Sequence, residues 1–273
     1  MKKKTDLFWK ILLYIIAFLF LVPLYWLLVS SVKTDIEITR FPPTLWPEEV
    51  KFGNFIYIWH YLKFMRTFFN SVLVSTSTTI LIVFFSTMAG YAFAKKDFLG
   101  KNILMVLLVG TMAIPAAVRL LPLFFIITKL GMYDQLIGLI LPFGVTIFGI
   151  FFMKQYIEDI PDSLLEAAKI DGCGEFRIFF TIIVPLLKPA TTALTIIEFT
   201  NNWNSFTMPL ILLKSPEKFT LPLRVGMLSQ RLVEMSWSQI MAANTLVVIP
   251  IIIIVLFLQK YFIKGIMAGS IKG

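Results

Sequence analysis

Six runs of about 20 apolar residues dominate the chain, near 7–31, 68–94, 102–128, 135–157, 190–213 and 240–262. A hydrocarbon core about 30 Å thick is crossed by roughly 20 helical residues, so each run is long enough to span a bilayer. A segment in lipid must satisfy its own backbone polar groups, which predicts α-helices. Strand-type alternation is absent, which removes a transmembrane barrel. The pattern predicts an all-α membrane protein with six transmembrane helices. It divides into a first helix and loop over 1–67, a core over 68–262 and a tail over 263–273.

The spans are not uniform. Ser86, Gly90 and Ala94 recur every fourth residue of the second, a small-residue stripe that lets another helix approach closely. In the third, Pro115 and Pro122 bracket Arg119, and Pro142 with Gly138, Gly144 and Gly149 loosens the fourth. Each proline removes a backbone donor and kinks its helix. In the loop after the first span, Phe41-Pro42-Pro43 and Trp46-Pro47 are extended or turn-forming. Phe55, Ile58, Trp59 and Leu62 then follow at helical spacing, which predicts a helix lying at the membrane surface.

Composition supports the membrane reading: 58% of residues are hydrophobic and the mean hydropathy is +0.84. A net charge of +9 does not point to nucleic acid, because the basic residues sit at span ends rather than in a stripe. Lys2, Lys3, Lys4 and Lys10 precede the first span, Lys95, Lys96 and Lys101 separate spans two and three, and Lys260, Lys264 and Lys272 follow the last. The positive-inside rule then places both termini and the 158–189 segment in the cytoplasm. Loops 33–67 and 214–239 also carry basic residues, so the orientation rests on the dense lysine clusters. The apolar run from Ile11 to Ser30 exceeds the usual leader core. That favours a signal anchor over a leader cleaved near Val29 and Ser31. A single cysteine, Cys173, allows no internal disulfide and reads as a small residue packed in a turn. His60 has no metal-ligand spacing around it and reads as solvated. No nucleophile triad, catalytic carboxylate pair or Cys/His cluster is present. The expectation is therefore no enzyme activity, no metal and no cofactor of its own.

The polar stretch between spans four and five is the most informative. Pro161 ends the fourth span's extension, Ser163-Leu164-Leu165-Glu166 fits a capping box, and Asp162 is a rival cap. Asp171-Gly172 supplies the stop, because glycine takes the left-handed conformation without penalty. The predicted helix, Ser163 to Ile170, is too short to stand alone in water and must lean on something. Ala167 and Ala168 make a low patch on which another protein can close. On that basis Ala168→Arg is expected to uncouple the partner with the membrane fold intact. Pro185 and Pro189 set the re-entry into the fifth span.

Glu166-Ala167-Ala168, then Gly172, then Ile182-Ile183-Val184-Pro185, resembles the EAA motif of ATP-binding-cassette importer permeases, with Val184 where the family has leucine. Trp203-Asn204, Phe219-Thr220-Leu221-Pro222-Leu223 and the tail from Tyr261 to Gly273 resemble the maltose-type carbohydrate-uptake permeases, in particular the smaller of their two paired subunits. The resemblance implies a type I (MetI-like) fold with a cytoplasmic coupling helix, in a multi-pass protein of the bacterial cytoplasmic membrane. It implies a second homologous permease, a cytoplasmic ATPase dimer, an extracytoplasmic solute-binding protein and a carbohydrate substrate. Ser163, Glu166, Ala167, Ala168, Asp171 and Gly172 become the coupling residues. ATP and magnesium would belong to the ATPase, and this chain carries no Gly-x-x-x-x-Gly-Lys-Ser/Thr phosphate loop.

In the fifth span Glu198, Asn201, Asn202 and Ser205 fall at i, i+3, i+4 and i+7 and are expected on one helix face, beside Trp203 and Asn204. A carboxylate at mid-membrane costs roughly 2.5–3.5 kcal/mol on insertion scales, so this face must meet other helices or water. Two readings stay open, a solute pathway and an interhelical hydrogen-bond network, and the same two apply to Arg119. Other solutes for the same build are a polyol or a glycerol phosphate ester. An ion-coupled transporter using Glu198 and a membrane scaffold are the readings from other classes.

Overall fold

The computed structural model describes the backbone of residues 2–229 and 235–270 and the side chains of 7–228 and 235–257. Helix dominates, and no strand occurs among the described residues. The first span is α1 (Lys2–Ser31); α2 (Asp35–Thr39) and α3 (Gly53–Tyr61) follow, and α4 (Phe64–Lys95) is the second span. The third run breaks into α5 (Lys101–Thr111) and α6 (Ala116–Lys129). The fourth breaks into α7 (Ile137–Ile140), a tight turn at Leu141–Phe143, and α8 (Ile147–Glu158). The surface segment holds α9 (Asp162–Ile170), α10 (Glu175–Ile178), a π-helical stretch Phe179–Ile183 and α11 (Val184–Leu186). The remainder is α12 (Lys188–Trp203), α13 (Thr207–Leu212), α14 (Leu221–Ser229) and α15 (Trp237–Ser270). Of the expected tail, backbone helix continues through Ser270, while residues 271–273 lie outside the described residues.

Among the described residues three helices are long and apolar enough to cross a membrane unaided, within Leu7–Ser31, Phe64–Lys95 and Trp237–Phe257; counting each of three bent helix pairs as one span gives up to six. The bends fall where prolines were read, but one is much larger than a kink. α5 and α6 meet at 104°, so the third run is two helices rather than one kinked span. Pro115 sits between them in an extended conformation, φ −55°, ψ 138°. It has no amide hydrogen to continue the ladder, and its ring pushes Ile114 out of the helical region. The fourth run bends by 42° around Pro142, and the helix leading into α12 by 75° between Pro185 and Pro189. The expected 190–213 helix also divides, because α12 ends at Trp203.

Contacts between helices separate the chain into two compact units, residues 1–67 with 224–250 and residues 68–223 with 251–273. In the first, the connection after α1 is folded around a fully buried lysine. Lys33 donates to the Thr44 carbonyl, lies 4.9 Å above the Trp26 ring and faces Glu37 at 3.9 Å. Glu37 in turn accepts from the Thr44 hydroxyl at 2.5 Å and the Glu48 amide at 3.1 Å. A buried ammonium is tolerated only with such a complete set of partners. α3 forms as its periodicity predicts, with Ile58 and Leu62 buried and Trp59 exposed.

In the second unit, α4 and α8 pack at backbone distance. A Cβ on Gly90 would lie 2.9 Å from both the Lys154 nitrogen and Met153 Cβ, and one on Gly149 would lie 2.4 Å from Ser86 Oγ. The Ser86/Gly90 stripe therefore has a definite partner. Around the same contact a core gathers Tyr91, Met153, Ile157, Ile160, Leu165, Ala168, Ile178, Phe179, Ile183 and Leu194. Overpacking such an interface costs about 1–3 kcal/mol. Gly90→Leu is therefore expected to lower the detergent melting temperature by several degrees, whereas Gly110→Ala, where a Cβ meets nothing, leaves it unchanged; equal melting of the two variants would refute this close packing.

Candidate functional site

The surface helix α9 starts two residues earlier than the Ser163 capping box requires. Pro161 is its N-cap, extended at φ −60°, ψ 134°, and no side chain bonds the helix start. The Ser163–Glu166 capping box is therefore not formed. Ser163 lies inside the helix, and the rival cap Asp162 is engaged elsewhere: its carboxylate accepts from Lys95 Nζ at 2.8 Å. The predicted stop is present. Gly172 has φ +76°, its amide bonds the Lys169 carbonyl at 3.0 Å, and the Cys173 amide reaches Ala168 at 2.9 Å. These two bonds make a Schellman end after Asp171, the C-cap. Cys173 is free and half-buried in that turn.

The helix leans on its own chain through Leu165 and Ala168, 6% exposed each. Ala168 thus faces the core and is not part of an open patch with Ala167. The bulky change considered above at Ala168 would damage internal packing first. Ser163, Glu166, Ala167 and Asp171 are exposed. Two residues that sequence reasoning passed over join them: Leu164 at 45% and Ile170 at 86% exposure. Ile170 falls well away from the face that Leu165 and Ala168 share, whereas Leu164, four residues before Ala168, sits at the edge of that face.

The polar face of the fifth span is only partly assembled. Glu198 is buried and accepts from Thr146 Oγ1 at 2.9 Å, with Asn201 as a second side-chain partner. Thr146 also caps α8, accepting from the Gly149 amide at 3.1 Å. The carboxylate therefore sits at the start of α8, where the helix dipole favours negative charge. Trp203 is 1% exposed, stacked on Phe199 at 5.8 Å and edge-on to Phe68 at 5.9 Å. Asn201 and Asn204 are exposed and Asn202 half-buried, its amide bonding the Glu198 carbonyl at 2.8 Å. Ser205 does not share the face, since the helix stops at Trp203. Arg119 is exposed on α6, with no ion pair among the described residues. Neither it nor Glu198 lines the cavity of about 300 Å³ between α4 and the start of α12, whose polar groups are Thr79, Thr87, Thr191 and Thr195.

A family model for the binding-protein-dependent transport system inner membrane component matches residues 86–267. The chain belongs to that family. It is 40% identical over 261 residues to the arabinooligosaccharides transport system permease protein AraQ of Bacillus subtilis, covering 94% of this chain and 92% of the relative. Identity to AraQ of Halalkalibacterium halodurans is 37% over the full length of both. To the sn-glycerol-3-phosphate transport system permease protein UgpE of Yersinia enterocolitica it is 31%, over 97% of each. Among solved structures, a chain of a bacterial ABC transporter involved in the import of the acidic polysaccharide alginate superposes with TM-score 0.81 at 24% identity, covering 95% and 97% of the two chains. The type I ABC importer permease fold expected from the sequence is the fold found.

The permease has one more organised polar cluster, which sequence reading missed. Beyond the far end of α12, the left-handed residue Asp134 (φ 55°) gathers the 213–218 loop. Its carboxylate accepts from the Ser215 hydroxyl at 2.5 Å and from the Ser215 and Lys214 amides at 2.9 Å each, with Lys218 Nζ at 3.2 Å. The Ser215 hydroxyl and amide, then Lys214 and Lys218, hold this carboxyl far below the usual carboxylate range. A group with a depressed native pKa stabilises the fold above its unfolded value, about 4, and loses that contribution as pH falls toward the native one. Asp134→Asn is therefore expected to melt below the parent at about pH 7, with the gap closing at pH values under about 4. A gap independent of pH would show that the charge contributes nothing.

Proposed function

We propose that this permease forms one half of the translocation pathway of a bacterial ATP-driven carbohydrate importer, and that α9 docks on a separate cytoplasmic ATPase dimer. The observation that carries the reading is the construction of α9: nine residues, stopped by a Schellman turn, packed inward through Leu165 and Ala168, and presenting Leu164, Ala167 and Ile170 outward. Apolar side chains at the tip of a polar segment favour a protein partner over water. In this reading both termini lie in the cytoplasm, ATP and magnesium are held by the ATPase, and a homologous permease supplies the other half of the pathway. A solute-binding protein delivers substrate at the opposite face. ATP binding acts because the ATPase grips one conformation of the permease better than the other, which shifts a two-state equilibrium.

The sugar assignment is supported by the arabinooligosaccharide permeases at 40% and 37% identity. A phosphate ester is the second reading, supported by the glycerol-phosphate permease at 31%. For the solute path, the exposed amides of Asn201 and Asn204 and the guanidinium of Arg119 have surface to offer. Glu198 and Trp203 hold the scaffold behind them, and Asn202 lies between.

Reconstituted vesicles containing the permease pair and ATPase, with binding protein supplied on the delivery side, are expected to take up a labelled oligosaccharide only with ATP. Ala167→Arg should cut that uptake by about tenfold, roughly 1.4 kcal/mol of lost coupling, with melting unchanged; Ala168→Arg should lower the melting temperature itself. Uptake of glycerol phosphate but no sugar would favour the second reading. Uptake that survives without ATP and stops with an uncoupler would overturn the importer.

A further inference from the structure

A helix that receives force must be fixed to whatever it moves, and the two chain links of α9 are poor candidates for that task. Residues 159–161 and 171–174 are non-helical. Each contains a position, Pro161 or Gly172, that breaks the hydrogen-bond ladder. The stiff path runs through side chains at and just beyond the end of α4.

Lys95, with its side chain 8% exposed, reaches across to the entrance of α9. Its ammonium donates to Asp162 Oδ1 at 2.8 Å, to the Ile160 carbonyl at 2.6 Å and to the Glu158 carbonyl at 3.3 Å. It therefore holds together the first residue of α9, the Ile160 carbonyl in the link and the last carbonyl of α8, where a helix end favours a cation. Lys96 and Tyr91 hold the exit. The Lys96 ammonium pairs with Glu175 and lies 5.3 Å above the Tyr91 ring, while the Tyr91 hydroxyl donates to Glu175 Oε2 at 3.1 Å. Lys169, on α9 itself, approaches the other oxygen of Glu175 at 3.7 Å. The end of α4, from Tyr91 to Lys95, and the adjoining Lys96 thus grip both flanks of the surface helix.

We propose that Lys95, Lys96 and Glu175 are the joint through which motion of α9 enters the second span. They are positioning residues: they touch neither nucleotide nor solute. The inference rests on the coupling role proposed above for α9. With the joint closed, a displacement of α9 carries α4 with it, and through the Gly90 contact α8 as well. With it open, α9 can follow the ATPase while α4 lags, so ATP is consumed without transport.

The test uses the whole complex in vesicles and reads solute taken up per ATP hydrolysed, a ratio that simple loss of folded protein leaves unchanged. Lys96→Glu and Glu175→Lys, each placing like charges together, are expected to lower the ratio by at least about fivefold while hydrolysis stays within about twofold. The double exchange, Lys96→Glu with Glu175→Lys, restores the opposite-charge pair and is expected to recover most of it. Should either reversal fail to accumulate in the membrane, Lys96→Gln and Glu175→Gln replace it, with an expected loss of about twofold each. An unchanged ratio in the single variants, or a loss that the double exchange does not repair, overturns the joint while leaving the importer reading in place. A parent complex that moves solute without hydrolysing ATP overturns that reading and this inference together.

Discussion

The close approach of α4 to α8 is the constraint on which the second unit depends. Side chains of ordinary size at positions 86, 90 and 149 would hold the two helices apart, since Cβ atoms on Gly90 and Gly149 would meet backbone and side-chain atoms at 2.9 and 2.4 Å. In lipid there is little hydrophobic force between helices, so such contact-distance packing is what holds a pair together. The consequence is geometric. With α8 drawn against α4, its last carbonyls come within reach of Lys95, and the chain leaving α8 starts α9 beside the end of α4. Leu165 and Ala168 can then enter the core shared by Tyr91, Met153 and Ile157. The position of the surface helix is a result of two spans packing closely.

Prolines supply the second half of the architecture. A break inside a span frees backbone amides and carbonyls, which the bilayer cannot satisfy. At the fourth run the repair is visible: Thr146 caps the restarted helix and gives its hydroxyl hydrogen to Glu198. A carboxylate that looks costly in the sequence is thereby tied to the helix start that Pro142 and Gly144 require. Its burial follows from the break in a neighbouring span, and the same bond fixes α12 against α8.

Much of this was legible in order, and the rest was not for identifiable reasons. The small-residue stripe and the Asp171-Gly172 stop depend on local composition or on backbone conformation, and each appears where the pattern places it; the six apolar runs are helical, but three of them are broken into bent pairs. The start of α9 lies ahead of both candidate caps: Lys95 holds the Asp162 carboxylate, the extended Pro161 takes the N-cap position, and a tertiary partner of this kind leaves no mark in the local pattern. Ala168 was assigned to an open face because alanine carries no preference between core and surface; only the companion Leu165 indicates the inward side. The shared face of Glu198 and Ser205 assumed a helix running to 213, and no strong breaker announces the end at Trp203. Asp134 was invisible because its partners lie about eighty residues away along the chain.

The charged residues at the end of α4 differ in what surrounds them. A lysine cluster after a span is what orients a membrane helix, and for that purpose any cation near the interface suffices. Lys95 and Lys96 differ from that minimal requirement in their surroundings. Lys95 is nearly buried, and a buried ammonium is tolerated only where several acceptors converge on it; three do, from α8, its exit and α9. Such a site fixes distances among three segments in a way that a solvated lysine cannot. Lys101, 24% exposed, pairs with Asp97, a solvated neighbour four residues away in its own chain segment, and among the described residues has no ion pair to a distant segment. The contrast separates a charge that orients a span from one that joins it to the element beside it.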